Sequence, residues 1–175
     1  MKILIGYATS EGHTRKICRH IADHLVAGGV SVELLPLAEA EGLELSRFDR
    51  VILAASVHAG HYQRTLSDFV AAQPGALAAH PALFLSVSLA AAGHDAEDWK
   101  GLDKVVEDLT AATGWQPQCV AHVAGAYRPA DYDLLRRFVM RQIIARKDPE
   151  ADLDRPKEYT DWPALEQLVQ DWLAD

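Results

Sequence analysis

Five short apolar runs, parted by stretches of helical spacing, constrain this chain more than any other feature. They fall at residues 3–7, 30–35, 51–55, 82–89 and, more loosely, 115–124. A strand that is apolar at nearly every position is buried on both faces, and a parallel sheet wrapped by helices is the architecture that achieves this. The helices follow in turn. From about Gly12, Ile17, Ile21 and Leu25 repeat every four residues as an inward stripe, and Gly28 and Gly29 stop it. Residues 62–77 carry Leu66, Phe69 and Val70 at helical spacing, and residues 98–113 place Leu102, Val105, Val106 and Leu109 inward before Gly114. A last helix begins near Asp161, an N-cap with Pro163 in the first turn, and directs Leu165, Leu168, Val169 and Trp172 inward.

The alternation predicts an α/β fold, a doubly wound sheet of five parallel strands. With 175 residues, 49% of them hydrophobic and 24% charged, the chain is sized for a single domain spanning residues 1–175. Residues 126–159 interrupt the pattern with an insertion between the fifth strand and the last helix, far longer than a plain connection requires. The net charge of −8 speaks against a nucleic-acid binder. Strand-like sequence begins at Lys2 without a basic and apolar leader, and no apolar run approaches the roughly 20 residues that cross a bilayer. A soluble or peripheral protein is expected. Cys18 and Cys119, far apart and outside any metal-like spacing, read as two reduced, buried cysteines of a cytosolic protein.

The first strand ends in Thr9-Ser10-Glu11-Gly12-His13-Thr14 and runs straight into a helix. Free amides at a helix start, favoured by its dipole, form an anion site, and three hydroxyls add donors. Neither a Gly-x-Gly-x-x-Gly fingerprint nor a lysine-bearing P-loop is present. A hydroxyl-rich loop without lysine suits one terminal phosphate monoester better than a magnesium-bound triphosphate. An ordinary strand–helix turn capped by Thr9 or Ser10 is the alternative.

The pattern Thr-x-x-Gly-x-Thr resembles the flavodoxin phosphate loop, and residues 55–62, Ala-Ser-Val-His-Ala-Gly-His-Tyr, fall where flavodoxins set a loop against the isoalloxazine ring. Together with residues 84–89, residues 124–126 and residues 158–162, these motifs resemble the menaquinone-dependent protoporphyrinogen IX dehydrogenases of bacterial haem synthesis over nearly the full length. The strongest are Gly60-His61-Tyr62 and Tyr159-Thr160-Asp161-Trp162. The resemblance implies a flavodoxin-like sheet of order 2-1-3-4-5, with non-covalent FMN in the crevice beyond strands one and three. It assigns Thr9, Ser10, Glu11, Gly12, His13 and Thr14 to the FMN phosphate. It assigns Ser56, Val57, His58, Ala59, Gly60, His61 and Tyr62, and Ser86, Val87, Ser88, Leu89 and Ala90, to the ring. His58, His61 or Tyr62 is expected to touch the flavin face. No Ser-His-Asp or Cys-His arrangement and no metal-ligand cluster stands out, so no catalytic side chain is assigned. His20 and His24 share a helix face and read as surface residues without acidic partners.

Residues 134–147 carry Arg136, Arg137, Arg141, Arg146 and Lys147 and no acid, a charge of +5 against −13 for the rest of the chain. Leu134, Leu135, Phe138, Val139, Met140, Ile143 and Ile144 lie among them. A helix of this length is marginal alone and needs a surface. Three surfaces qualify: the protein's own flank, an anionic membrane, and the carboxylates of a porphyrinogen, which Arg136, Arg137 and Arg141 could grip. Tyr127, Arg128 and Tyr132 open the insertion and are expected to cover the flavin or guide the substrate.

The resemblance implies an FMN-dependent oxidation of protoporphyrinogen IX to protoporphyrin IX, with menaquinone or ubiquinone as acceptor. The enzyme would be cytoplasmic and held peripherally at the inner face of the membrane through the basic insertion. A flavodoxin-type electron carrier and a general quinone reductase remain open.

Overall fold

Ile3, Leu4 and Ile5 are consecutive and all fully buried, which requires packed layers on both sides of their strand. The computed structural model describes residues 1–175 and shows those layers. Strands β1 (Lys2–Ala8), β2 (Ser31–Pro36), β3 (Arg50–Ser56), β4 (Ala82–Ser88) and β5 (Cys119–Ala124) form one sheet of order β2-β1-β3-β4-β5. Every pairing is parallel, with Ile5 opposite both Leu34 and Ile52. Helices α1 (His13–Ala27) and α6 (Trp162–Ala174) cover one face, where Ile17, Ile21, Leu165, Val169 and Trp172 meet Ile3, Ile5 and Ile52. The other face carries α2 (Arg64–Ala72) and α4 (Ala96–Thr113), where Leu66, Val70 and Leu109 meet Leu4, Leu53 and Phe84.

The expected fold class and strand order hold, with local differences. The single helix expected over residues 62–77 is two, α2 and the short α3 (Pro74–Ala78). Pro74 drives the preceding residue out of the helical region, and Gln73 sits at φ −147° and ψ 49°. The fifth strand starts at Cys119 rather than near Trp115, because Pro117 cannot donate to a ladder. Trp115 instead fills the core against Phe84, with ring centroids 5.5 Å apart. Helix α4 starts earlier than expected, at Ala96, because the Asp95 carboxylate accepts from the Glu97 and Asp98 amides. Cys18 is buried, and burial pushes its thiol pKa up, but Cys119 is only half-buried on the edge strand β5.

The insertion is ordered by its own small core. A two-stranded antiparallel ribbon pairs β6 (Ala126–Tyr127) with β7 (Lys157–Glu158) and brings its two ends together. Between them runs α5 (Leu134–Lys147), capped by the Asp133 carboxylate at the Arg136 amide. Tyr127, Tyr132 and Ile144 are its buried centre. Asp148, in an acidic stretch with no obvious role in sequence, accepts from the Tyr159 hydroxyl and the Lys157 ammonium. No helix is long and apolar enough to cross a membrane.

Candidate functional site

The carboxyl ends of β1 and β3 diverge to opposite helix layers and leave a crevice between their loops, the switch point of a doubly wound sheet. The β1–α1 loop forms its floor. Gly12 sits at φ 82°, a left-handed turn that a side chain would strain, and presents the start of α1 to the crevice. The first bond of α1 runs from the Lys16 amide to the Gly12 carbonyl, so the amides of His13, Thr14 and Arg15 have no partner within the helix. Thr9 Oγ1 accepts from the Gly12 amide at 3.0 Å and shapes the turn. Thr14 Oγ1 is buried and has no hydrogen-bond partner, although its residue lines the crevice.

The β3–α2 loop forms one wall. His58 and His61 exchange backbone hydrogen bonds of 2.8 and 3.0 Å across Ala59 and Gly60, both at positive φ (48° and 79°). Two consecutive left-handed residues make the tight turn usual in hairpins, and an alanine there stores strain. Gln63 ties this wall to the floor, donating to Ser56 Oγ at 2.7 Å and Ser10 Oγ at 3.2 Å. The β4 end contributes Val87, Ser88 and Leu89.

Helix α5 roofs the crevice. Leu135, Arg136, Val139, Met140 and Ile143 line a half-open cavity of about 580 Å³ with the three loops. The roof is pinned at both ends. Arg136 Nη2 lies 2.5 Å from Glu11 Oε1 and 2.6 Å from His58 Nδ1, bridging floor and wall. Lys147 pairs with Asp98 and donates to the Ala90 carbonyl at 3.4 Å. Arg128 adds a bond of 3.0 Å to the Glu11 carbonyl.

Electrostatics follow from these contacts. Because His58 Nδ1 accepts from Arg136, its Nε2–H is left to donate to Ser56 Oγ at 3.0 Å. Burial and the adjacent guanidinium both hold the His58 pKa below the usual imidazole value. Thr160 donates to the Ala124 carbonyl and accepts from His13 Nε2 at 2.8 Å, which fixes that ring as well. Burial lowers the His13 pKa despite the Glu158 carboxylate 3.9 Å from Nδ1. Glu11 is shifted upward, since burial outweighs the help of Arg136. The Tyr159-Thr160-Asp161-Trp162 run thus closes the floor from behind. Asp161 caps α6, and Trp162 packs its ring on His20 at 4.7 Å.

The Flavodoxin domain family profile matches residues 4–154, most of the chain and most of the insertion. The chain belongs to the flavodoxin-domain family. Two curated relatives are each 28% identical to this flavodoxin-domain protein, and both bear the name protoporphyrinogen IX dehydrogenase [quinone]. The one from Escherichia coli K12 aligns over 98% of this chain and 94% of its own length. The one from Leishmania major aligns over 99% of this chain and 75% of its own. Among solved structures, oxidised flavodoxin 2 from Bacillus cereus shares the fold at a TM-score of 0.58 and 19% identity, covering 99% of both chains. A Streptococcus pneumoniae TIGR4 flavodoxin does so at 0.54 and 17%, again over 99% of both.

Within this flavodoxin-domain protein the residues named from sequence separate into three groups. Thr9, Glu11, His13, Thr14, Ser56, Val57, His58, Ala59, Val87, Ser88, Leu89 and Arg136 line the cavity. Ser10, Gly12, Gly60, His61, Ser86 and Ala90 shape or border the same loops without lining it. Tyr62, Tyr127 and Arg137 face elsewhere. The Tyr62 hydroxyl donates to buried Ser86 Oγ at 2.8 Å while its ring packs on Phe84, and burial pushes its pKa up to about 12. Tyr127 is fully buried under α5, its hydroxyl bonded to the Leu153 carbonyl, so it supports the roof instead of covering a ligand. Arg137 donates to the Pro129 carbonyl, Arg141 pairs with Asp154, and Arg128 with Asp131. His20 and His24, expected to lack acidic partners, face Glu166 of α6 at 2.8 and 3.9 Å. Tyr132, expected from sequence beside the flavin or substrate, also lines the cavity, and the lining residues not assigned in advance are Gly125, Ala126, Asp133, Leu135, Val139, Met140 and Ile143. The spacing 135, 139, 143 along α5 was the available signal, blurred by Leu134 and Phe138 on a second apolar face.

Proposed function

We propose that this chain is an FMN-dependent dehydrogenase that oxidises protoporphyrinogen IX to protoporphyrin IX and passes the electrons to a quinone. The orphaned Thr14 hydroxyl, with the free amides at the start of α1, fits a phosphate monoester, and the fold is that of flavodoxins. Thr9, Ser10 and Gly12 to Thr14 would hold the phosphate, and the loops at residues 56–61 and 86–90 would flank the ring. FMN, when bound, supplies the redox capacity of the site. The remaining work belongs to the chain itself. The loops orient the bound groups, and α5 excludes water and offers an apolar wall to a large macrocycle.

The observation that carries this reading is the roof. The likeness to the two curated dehydrogenases runs through the insertion, and the insertion is what adds an apolar wall to the crevice and makes it a half-open cavity. FMN-loaded protein should consume protoporphyrinogen anaerobically when a menaquinone analogue is supplied, read by the appearance of porphyrin fluorescence. A rate no higher than that of FMN and quinone without protein contradicts it.

We also propose, with a quinone as acceptor, that the protein sits peripherally at the inner face of the membrane, approached from the cytoplasm. Exposed Leu134 and Phe138, at 85% and 63%, support an apolar approach. A second reading, an electron carrier without its own small substrate, is favoured by the acidic net charge of −8 and the match to flavodoxins over 99% of their length. Electron exchange with a redox protein, without porphyrinogen consumption, distinguishes it.

A further inference from the structure

The insertion supplies many cations but only one to the cavity. Arg137, Arg141 and Lys147 are each engaged by protein acceptors, Arg128 is held by Asp131 and the Glu11 carbonyl, and Arg146 is exposed away from the cavity lining. Arg136 differs from all of them. It lines the cavity with 37% of its side chain still exposed, and its guanidinium carbon stands 4.8 Å from the Tyr132 ring centre, an aromatic face that fixes its plane. Only Nη2 meets protein acceptors, Glu11 Oε1 and His58 Nδ1. The N–H groups on Nη1 and Nε have no acceptor in the protein. Beside this partly uncommitted guanidinium lies the apolar strip Leu135, Val139 and Ile143, eight helical positions or about 12 Å long. A cavity with a long apolar wall and a single cation suits a large apolar ring system that carries a carboxylate.

We propose that Arg136 is the residue that recognises a propionate of the porphyrinogen, a role that rests on the function proposed above. The propionate accepts from Nη1, and displacement of Glu11 from Nη2 completes a two-bond fork. Glu11 is suited to yield. Its side chain is 15% exposed, and burial disfavours its charged form by more than the Arg136 contact restores. His58 and Tyr132 are positioning residues that keep the guanidinium against the cavity when Glu11 releases it. The other charges that act on Glu11, Asp131 and Arg128 from the turn before α5, hold each other at 2.8 Å.

The test compares FMN-loaded full-length protein with its R136Q and R136K variants. Each is titrated with protoporphyrin IX and with its dimethyl ester in one detergent, and porphyrin fluorescence reads binding. Losing a charge-assisted hydrogen-bond pair corresponds to about 10- to 100-fold in affinity. The unmodified protein should prefer the diacid to the diester by that factor, R136Q should bind the two alike, and R136K should keep part of the preference. FMN affinity, read separately by flavin fluorescence quenching, should stay within a few-fold. An unchanged diacid preference in R136Q overturns the assignment, as does a loss confined to FMN affinity, which would make Arg136 a phosphate ligand. If the unmodified protein oxidises porphyrinogen while R136Q keeps its preference, only the role of Arg136 falls. If it neither binds the porphyrin nor oxidises porphyrinogen, the proposed function falls with it.

Discussion

Thr14 concentrates the chemistry of the floor into one atom. A buried hydroxyl without a partner costs roughly 1–3 kcal/mol, and a ligand that pairs with it at this helix start recovers that cost. Replacing it with the isosteric valine should leave the ligand-free protein as stable or more so, while FMN affinity falls about 10-fold or more, read by melting and by fluorescence quenching. His13 makes a different prediction. Its pKa is lowered in the fold by burial, with Lys16 and Arg128 adding to this and Glu158 opposing. Stability from such a group is full above the unfolded value of about 6.5 and is lost as pH falls through the lower folded value. The melting temperature should therefore fall between pH 7 and 5.5, and His13→Gln should flatten that slope. His58 titrates in the same direction, so some slope remains in the variant. Glu11 works oppositely: its raised pKa gives stability that is present below the unfolded carboxyl value and lost as pH rises through the folded one. Ala59, at φ 48°, completes the residue scale. Ala59→Gly should raise stability by about 1 kcal/mol in denaturant melts, because glycine carries no penalty there.

Among the elements, α5 decides what the crevice becomes, and it is held by few contacts. Ile144 is its one deeply buried side chain, packed with Tyr127 and Tyr132. Ile144→Ala should destabilise the roof by about 2–4 kcal/mol. Amide exchange should then accelerate in residues 126–159 while the five-stranded sheet stays protected. Helix α5 is also where the sequence was least legible. Its helical character and its +5 charge are local properties and could be read directly. The fate of that charge could not, because the partners are distant: Glu11 and His58 lie on loops more than 70 positions away, and Asp98 is 49 positions away. Four of the five cations face acceptors of the protein itself, which leaves apolar Leu134 and Phe138 as the outward feature. Association with vesicles, measured by co-sedimentation, should accordingly survive 0.5 M salt. Binding that vanishes with salt would restore the electrostatic account. By contrast, β1 to β5 and the floor loop were legible because each depends on neighbours in sequence: apolar runs, Gly12, and hydroxyls at a strand–helix junction. The exceptions, the break at Gln73 and the late start of β5, both trace to prolines at positions 74 and 117.

At the scale of the whole molecule, the fold does two things. The order β2-β1-β3-β4-β5 opens a crevice between β1 and β3, and the insertion after β5 returns over it, closed at its base by the β6–β7 ribbon. The ring of contacts from Glu11 through Arg136 to His58, and from Lys147 to Ala90, joins the two parts around one cavity. All of this has functional meaning only if the floor grips a phosphate. Titration of ligand-free protein with FMN and with riboflavin, followed by flavin fluorescence, tests that grip most directly. One FMN should bind per chain, and riboflavin, lacking the phosphate, should bind at least about 10-fold more weakly. A protein that binds neither flavin, or binds the two equally, contradicts the account.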